Sequence, residues 1–175
     1  MVPLSEYATV SKDATLYEAV SALEKAQASF DPKRFKHRAI LVFDNNKKIV
    51  GKISQMDIIR ALEPGYKEAL KDESFTKLGL SPIYQKQLIE QYMLWNKPLT
   101  DICKKAAQLK VESFMYTPTE GEYVRVDATL DEAIHQLICG CHQSLLVTKD
   151  GDIVGILRLT DVFCKITSSI KQCNI

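Results

Sequence analysis

One stretch of this chain is written twice. Residues 10–20 read VSKDATLYEAV and residues 124–134 read VRVDATLDEAI, sharing the unbroken run Asp-Ala-Thr-Leu. A second stretch recurs in the same order, ILVFDNNKKIVG at 40–51 and SLLVTKDGDIVG at 144–155. Each Ile-Val-Gly triplet is followed, six residues after its glycine, by an aspartate, Asp57 in the first copy and Asp161 in the second. Two separated blocks recurring in one order mark a duplicated unit, spanning roughly residues 8–62 and 122–167. A unit of about 50 residues buries too little apolar surface to stand alone, so the two copies must share a core.

The same elements are expected in each copy. Short extended pieces at residues 8–10 and 123–126 precede helices for which Asp13 or Thr15, and Asp127 or Thr129, offer N-cap oxygens. Leu16, Ala19, Val20 and Leu23, and in the second copy Leu130, Ala133, Ile134, Leu137 and Ile138, recur at three- and four-residue spacing and so form one buried stripe per helix. Apolar runs at 39–43 and 49–53, and at 144–148 and 153–157, read as hairpins, whose Asn45-Asn46 and Asp150-Gly151 tolerate the positive φ of tight turns. Second helices are expected from Met56 to about Leu62 and from Leu159 to about Ile166. The fold class is therefore α/β, two β-α-β-β-α units packed as a pseudo-twofold pair with a helical insert between them. The expected divisions are 1–65 for unit one, 66–113 for the insert and 114–175 for unit two.

The DATL-like helix start, the hairpin closing on Ile-Val-Gly and the spacing Gly-x-x-Ser/Thr-x-x-Asp resemble the CBS domain, which occurs in tandem pairs called Bateman modules. The resemblance covers about 100 residues in both copies and suggests a stand-alone bacterial pair. It implies a non-catalytic regulatory module that binds an adenosine nucleotide (AMP, ADP or ATP) in clefts between the units, and it implies a homodimer. By the family's arrangement the adenine lies near the start of the middle strand, at His37, Arg38 and Ala39 or at His142 and Gln143. The segments near Lys12 and Asp13, and near Val126 and Asp127, also line the cleft.

Chemistry supports such a site. A carboxylate can accept hydrogen bonds from both hydroxyls of a ribose with charge-assisted strength, the role expected of Asp57 and Asp161. Both aspartates stand at helix starts, where unpaired amides and the helix dipole favour phosphate. Ser54 and Thr160 would add hydroxyls, and Gly51 would allow a close turn. Ser54-Gln55-Met56-Asp57 also has the spacing of a capping box, which serves helix stability alone. The second copy has Arg158 where Ser or Thr is expected, and its guanidinium would either add a cation for a polyphosphate or fill the phosphate position.

Between the copies, Pro64-Gly65 ends the first unit, and two amphipathic helices are expected. One runs from Ser81-Pro82 to Trp95 with Tyr84, Leu88, Ile89, Tyr92 and Met93 on one face; the other carries Leu99, Ile102, Cys103, Ala106 and Leu109. They either cover the module and its dimer partner or dock an unknown protein through Tyr92 and Trp95. Without nucleotide, the alternative function is a dimerisation and interaction scaffold.

Lys+Arg 23 against Asp+Glu 22 gives a net charge of +1, which argues against a nucleic-acid binder held by bulk charge. No apolar stretch reaches membrane-span length and the N-terminus lacks a secretory pattern, so a cytoplasmic location is expected. The five cysteines, odd in number and irregularly spaced, read as reduced and mostly buried. His135, Cys139, Cys141 and His142 form the one cluster with metal-ligand chemistry, but the bland reading of a helix running out is stronger, and no metal is expected.

Overall fold

The computed structural model describes residues 1–31, 34–69 and 81–173. The first unit comprises β2 (Thr9–Ser11), α1 (Leu16–Ser29), β3 (Ala39–Phe43), β4 (Ile49–Ser54) and α2 (Gln55–Leu62). The second comprises β5 (Tyr123–Arg125), α6 (Leu130–Cys139), β6 (Ser144–Lys149), β7 (Asp152–Arg158) and α7 (Leu159–Gln172). A short strand β1 (Val2–Pro3) opens the chain, and α3 (Gly65–Ala69), α4 (Pro82–Gln91) and α5 (Leu99–Ala106) lie between the units. In both units the lead strand pairs parallel with the middle strand, which pairs antiparallel with the third.

The helix starts form where the repeat places them. Thr15 and Thr129 cap α1 and α6, each accepting from the amide of the glutamate three residues on, while Glu18 and Glu132 reach back to the threonine amides. Asp13 and Asp127 are not the caps.

Alternation along the middle strands divides the interior. Ile40 and Val42 face α1 with Ala19 and Leu23, and Leu145 and Val147 face α6 with Ala133 and Leu137. The residues between them, Leu41 and Leu146, point the other way and meet Val2, Tyr7 and Ile156 in a third cluster. That cluster is the shared core that joins sheet to sheet. Strand pairing also corrects the alignment of the copies. Val42 stands opposite Gly51 and Val147 opposite Gly155, so Ile40 corresponds to Leu145 rather than to Ser144. The first hairpin holds one residue more. Its positive φ falls on Lys47, not on the asparagines, because the Asp44 carboxylate accepts from the Asn46 and Lys48 amides and shapes the turn. In the second hairpin Asp150 and Gly151 carry it as expected.

Each unit lends backbone to the other. β1 pairs antiparallel with β7, Val2 opposite Ile156. Tyr116, in the segment leading into β5, exchanges both backbone hydrogen bonds with Lys52 of β4, each 2.9 Å. Gly51 and Gly155, the glycines of the two triplets, lie beneath these visiting segments. They are needed for close approach rather than for a turn. A Cβ at Gly155 would stand 2.6 Å from the Val2 carbonyl oxygen, whereas one at Gly51 would meet first the Met115 sulfur at 2.8 Å. Main chain cannot swing aside as a thioether can, so Gly155→Ala should cost about 1–3 kcal/mol and Gly51→Ala less. Thermal unfolding of the two variants checks that order, which equal losses would contradict.

The insert closes on the first unit. Backbone amides of Leu16 and Tyr17 donate to the carbonyls of Leu109 and Ala107, and Val111 donates to Ala14. Ile102 and Ala106 are buried, while Leu99 and Cys103 are exposed. The apolar face expected of α4 is only partly used. Leu88 is buried, but the helix ends at Gln91, and positive φ at Met93 and Trp95 turns Leu94 inward instead, against Gly65. Ile89, Tyr92 and Met93 are left exposed. The cysteines also correct the sequence reading, since all five are free and exposed.

Candidate functional site

The two helix starts that follow the Ile-Val-Gly strands carry the expected aspartates, and their surroundings differ. At α2 the capping box is complete. Ser54 Oγ accepts from the Asp57 amide at 3.2 Å, and Asp57 Oδ2 accepts from the Ser54 amide and hydroxyl at 2.8 and 2.7 Å. The other oxygen, Oδ1, has Arg60 Nη1 4.0 Å away, and the carboxylate side chain is 18% exposed.

At α7 the arginine replaces the serine and takes the whole carboxylate. Arg158 Nε donates to Asp161 Oδ2 at 2.8 Å and Nη2 to Oδ1 at 2.5 Å. The remaining arm, Nη1, crosses to the first unit and donates to the Phe35 carbonyl at 2.6 Å. Arg158 is 5% exposed, and its guanidinium lies over the Phe30 ring. Burial pushes the Asp161 carboxyl up, but the guanidinium outweighs it and holds the group below the ordinary carboxylate range.

Aromatic groups of the first unit wall this second helix start. The fully buried His37 ring sits between Tyr7 and Phe30, at centroid distances of 4.4 and 4.1 Å. Its Nε2 bonds the Glu6 carbonyl, which makes that nitrogen the N–H donor, and Nδ1 has no partner. Burial first, and the Arg158 charge second, lower the His37 pKa, while burial lifts the Tyr7 phenol to about 12.

A second inter-unit cluster lies by the first helix start. Lys52 of β4 and Glu122, one residue ahead of β5, form an ion pair whose side chains are 15% and 2% exposed. Glu122 also accepts from the Thr119 amide, and the Lys52 ammonium sits 5.3 Å from the Tyr116 ring centroid. Burial pushes the Glu122 carboxyl up, yet the bonds from Lys52 and Tyr116 together hold it below its usual range. Nothing in the sequence signals this pair, because neither residue belongs to a repeated motif.

The remaining sequence-derived residues divide by position. Ala39 pairs with Ser54, and the Arg38 carbonyl accepts from Gln55, so both adjoin the start of α2, with the Arg38 side chain exposed. Gln143 accepts likewise from Leu159 beside α7, Thr160 is half-buried on the first turn, and the half-buried His142 packs against Gly140. Lys12 is not among them. It donates to the Phe43 carbonyl at the hairpin end of the sheet, about 13 Å along β3 from Ala39. Asp127 lies at the matching end of the second unit, lining a cavity of about 530 Å³ with Arg125, Lys149 and Gly151. A larger cavity of about 720 Å³ is lined by Glu6, Tyr7, Lys25, Ala26 and Phe30, and neither cavity includes Asp57 or Asp161. His135 and Cys139 touch at 3.6 Å, but no group of three metal-ligating side chains forms among the described residues. No helix among them is long and apolar enough to cross a membrane.

A family model described as CBS domain matches residues 2–64 and 111–168, more than half of the chain. Comparison with curated protein sequences finds no match. Among solved structures, the CBS-domain containing protein ATU1752 from Agrobacterium tumefaciens is 15% identical with a TM-score of 0.57, over 90% of this chain and 82% of that one. CBSX2, crystallised in complex with AMP, is 19% identical with a TM-score of 0.57, over 98% and 95%. The cytosolic domain of the Mg2+ channel MgtE, crystallised in complex with ATP, is 17% identical with a TM-score of 0.55, over 94% of this chain and 46% of that one. These likenesses extend to the fold.

Proposed function

This chain belongs to the CBS-domain family, and from that premise we propose that it is a non-catalytic regulatory module that binds an adenine nucleotide at the start of α2. The ligand is AMP, ADP or ATP, its ribose held by Asp57 and its phosphate by the amides of that helix start, and the signal passes in trans to a partner protein. The observation that carries this reading is the half-used carboxylate of Asp57. Ser54 holds Oδ2, which fixes the group's direction, while the nearest cation to Oδ1 is an exposed arginine at 4.0 Å. An oriented carboxylate whose second oxygen has only a long contact to an exposed arginine suits, at a helix N-terminus, a hydroxyl close to a phosphate. The AMP and ATP complexes of CBSX2 and MgtE support the ligand class.

Binding would act by favouring one setting of the two units over another, and only to the extent that the nucleotide binds one setting better. A cytoplasmic location and a homodimer complete the proposal. For the dimer, and for the scaffold reading that would stand without nucleotide, the supporting observation is the row of exposed apolar side chains on the closing helices, Met56 and Ile59 on α2 and Leu159, Phe163 and Ile170 on α7.

Calorimetric titration of AMP, ADP and ATP tests the reading. Asp57→Ala removes a charge-assisted acceptor and should weaken binding about 10- to 100-fold. Absence of heat from the wild type at millimolar nucleotide would leave only the scaffold, and an unchanged affinity in the variant would displace the ribose from Asp57.

A further inference from the structure

The geometry points to a built-in occupant of the second helix start: the Arg158 side chain stands where a ligand's hydroxyls would, so the pair offers one nucleotide site per chain and not two. This rests on the nucleotide reading above for the ligand's class, but the closure itself is a matter of this chain's own contacts. A guanidinium edge and a vicinal diol present the same thing to a carboxylate, two donors side by side in one plane. Arg158 places Nε and Nη2 on the two oxygens of Asp161 at 2.8 and 2.5 Å, which uses the edge that a diol would need. The Arg158 amide adds a longer contact to Oδ2 at 3.4 Å.

The occupant is also held from the far side. Nη1 donates to the Phe35 carbonyl at 2.6 Å, so the guanidinium is anchored at both ends, with the Phe30 ring beneath it. At 5% exposure it is almost wholly shielded from solvent. A ligand would have to break a desolvated bidentate pair and a bond between the units at once. Among the described residues nothing comparable engages the first carboxylate, where the serine hydroxyl bonds one oxygen of Asp57 and an exposed Arg60 stands 4.0 Å from the other. The duplication thus yields two unlike positions, one with a carboxylate oxygen left for a ligand and one filled by the chain's own arginine.

Arg158→Ser tests this, because it rebuilds at α7 the Ser-x-x-Asp cap that α2 already carries and so preserves the fold's own solution. The readout is moles of AMP bound per chain by equilibrium dialysis at saturating AMP. The expected result is one for the wild type and two for Arg158→Ser, while Asp57→Ala keeps one and the Asp57→Ala/Arg158→Ser double variant two, with the site at α2 filling only at about 10- to 100-fold higher AMP in both. A wild type that binds none while Arg158→Ser binds one would end the proposal for Asp57 and uphold the closure. Arg158→Ser binding no more AMP than the wild type, whether that is one or none, overturns the closure, as does a wild type that binds two.

Discussion

Asp161→Ala should be among the most damaging single substitutions in this chain, lowering stability by about 3 kcal/mol. Its partner, Arg158, remains 5% exposed with one arm fixed to the Phe35 carbonyl, so deletion of the carboxylate leaves a cation that neither water nor an anion neutralises. Breaking a buried pair from one side is costly for that reason, whereas replacing both members by apolar groups is close to neutral. In a chain of this size the loss corresponds to a melting point lower by about 6–12 °C. The double variant Asp161→Ala/Arg158→Met should recover most of it. Thermal unfolding of the single and double variants separates the cases, and a single-variant loss below about 1 kcal/mol would mean that the guanidinium keeps its hydration.

Lys52→Met is expected to cost about 2–4 kcal/mol at neutral pH, for the opposite charge. Glu122, with 2% of its side chain exposed, would keep only Tyr116 and the Thr119 amide. The pH dependence gives a sharper test. In the wild type the Glu122 carboxyl is held below its unfolded value of 4.5, so the unfolded chain takes up protons first, and stability present above that value is lost as the pH falls. In the variant, burial is the largest influence left and acts upward, so the neutral carboxyl becomes the better tolerated form. The stability gap between variant and wild type should therefore narrow on acidification through pH 4.5 and below. Denaturant midpoints at pH 7 and pH 4 measure it; a gap of constant size would show that the ammonium does not hold this carboxylate.

What could be read in advance was what is local. The sequence narrowed each cap to two neighbouring residues, of which Thr15 and Thr129 close capping boxes with Glu18 and Glu132, and the strands follow from apolar runs of the right length. The repeat also indicated that the two units share a core, but which residues form it, Leu41 and Leu146 among them, came only from the strand pairing. What escaped is non-local. Pairing of Val2 with Ile156, the bond from Arg158 to Phe35 and the pairing of Lys52 with Glu122 join residues that no spacing connects. Lys12 was grouped with Ser54 by family likeness, but strand direction puts them at opposite ends of β3. Cysteine identity predicted burial, yet Cys103, Cys139 and Cys164 lie on helix faces left exposed among the described residues.

The two exchanged backbone segments also have a kinetic consequence. Residue 2 cannot find its hydrogen-bonding partner until residue 156 exists and its hairpin has formed, so that edge closes across nearly the whole chain. Such a loop costs only a little more entropy than a short one but is slow to search. The hairpins and capped helices therefore come first, and the N-terminal edge is sealed last, when a nascent second half has left the ribosome. Until then, an unzipped sheet margin is open to a neighbouring chain.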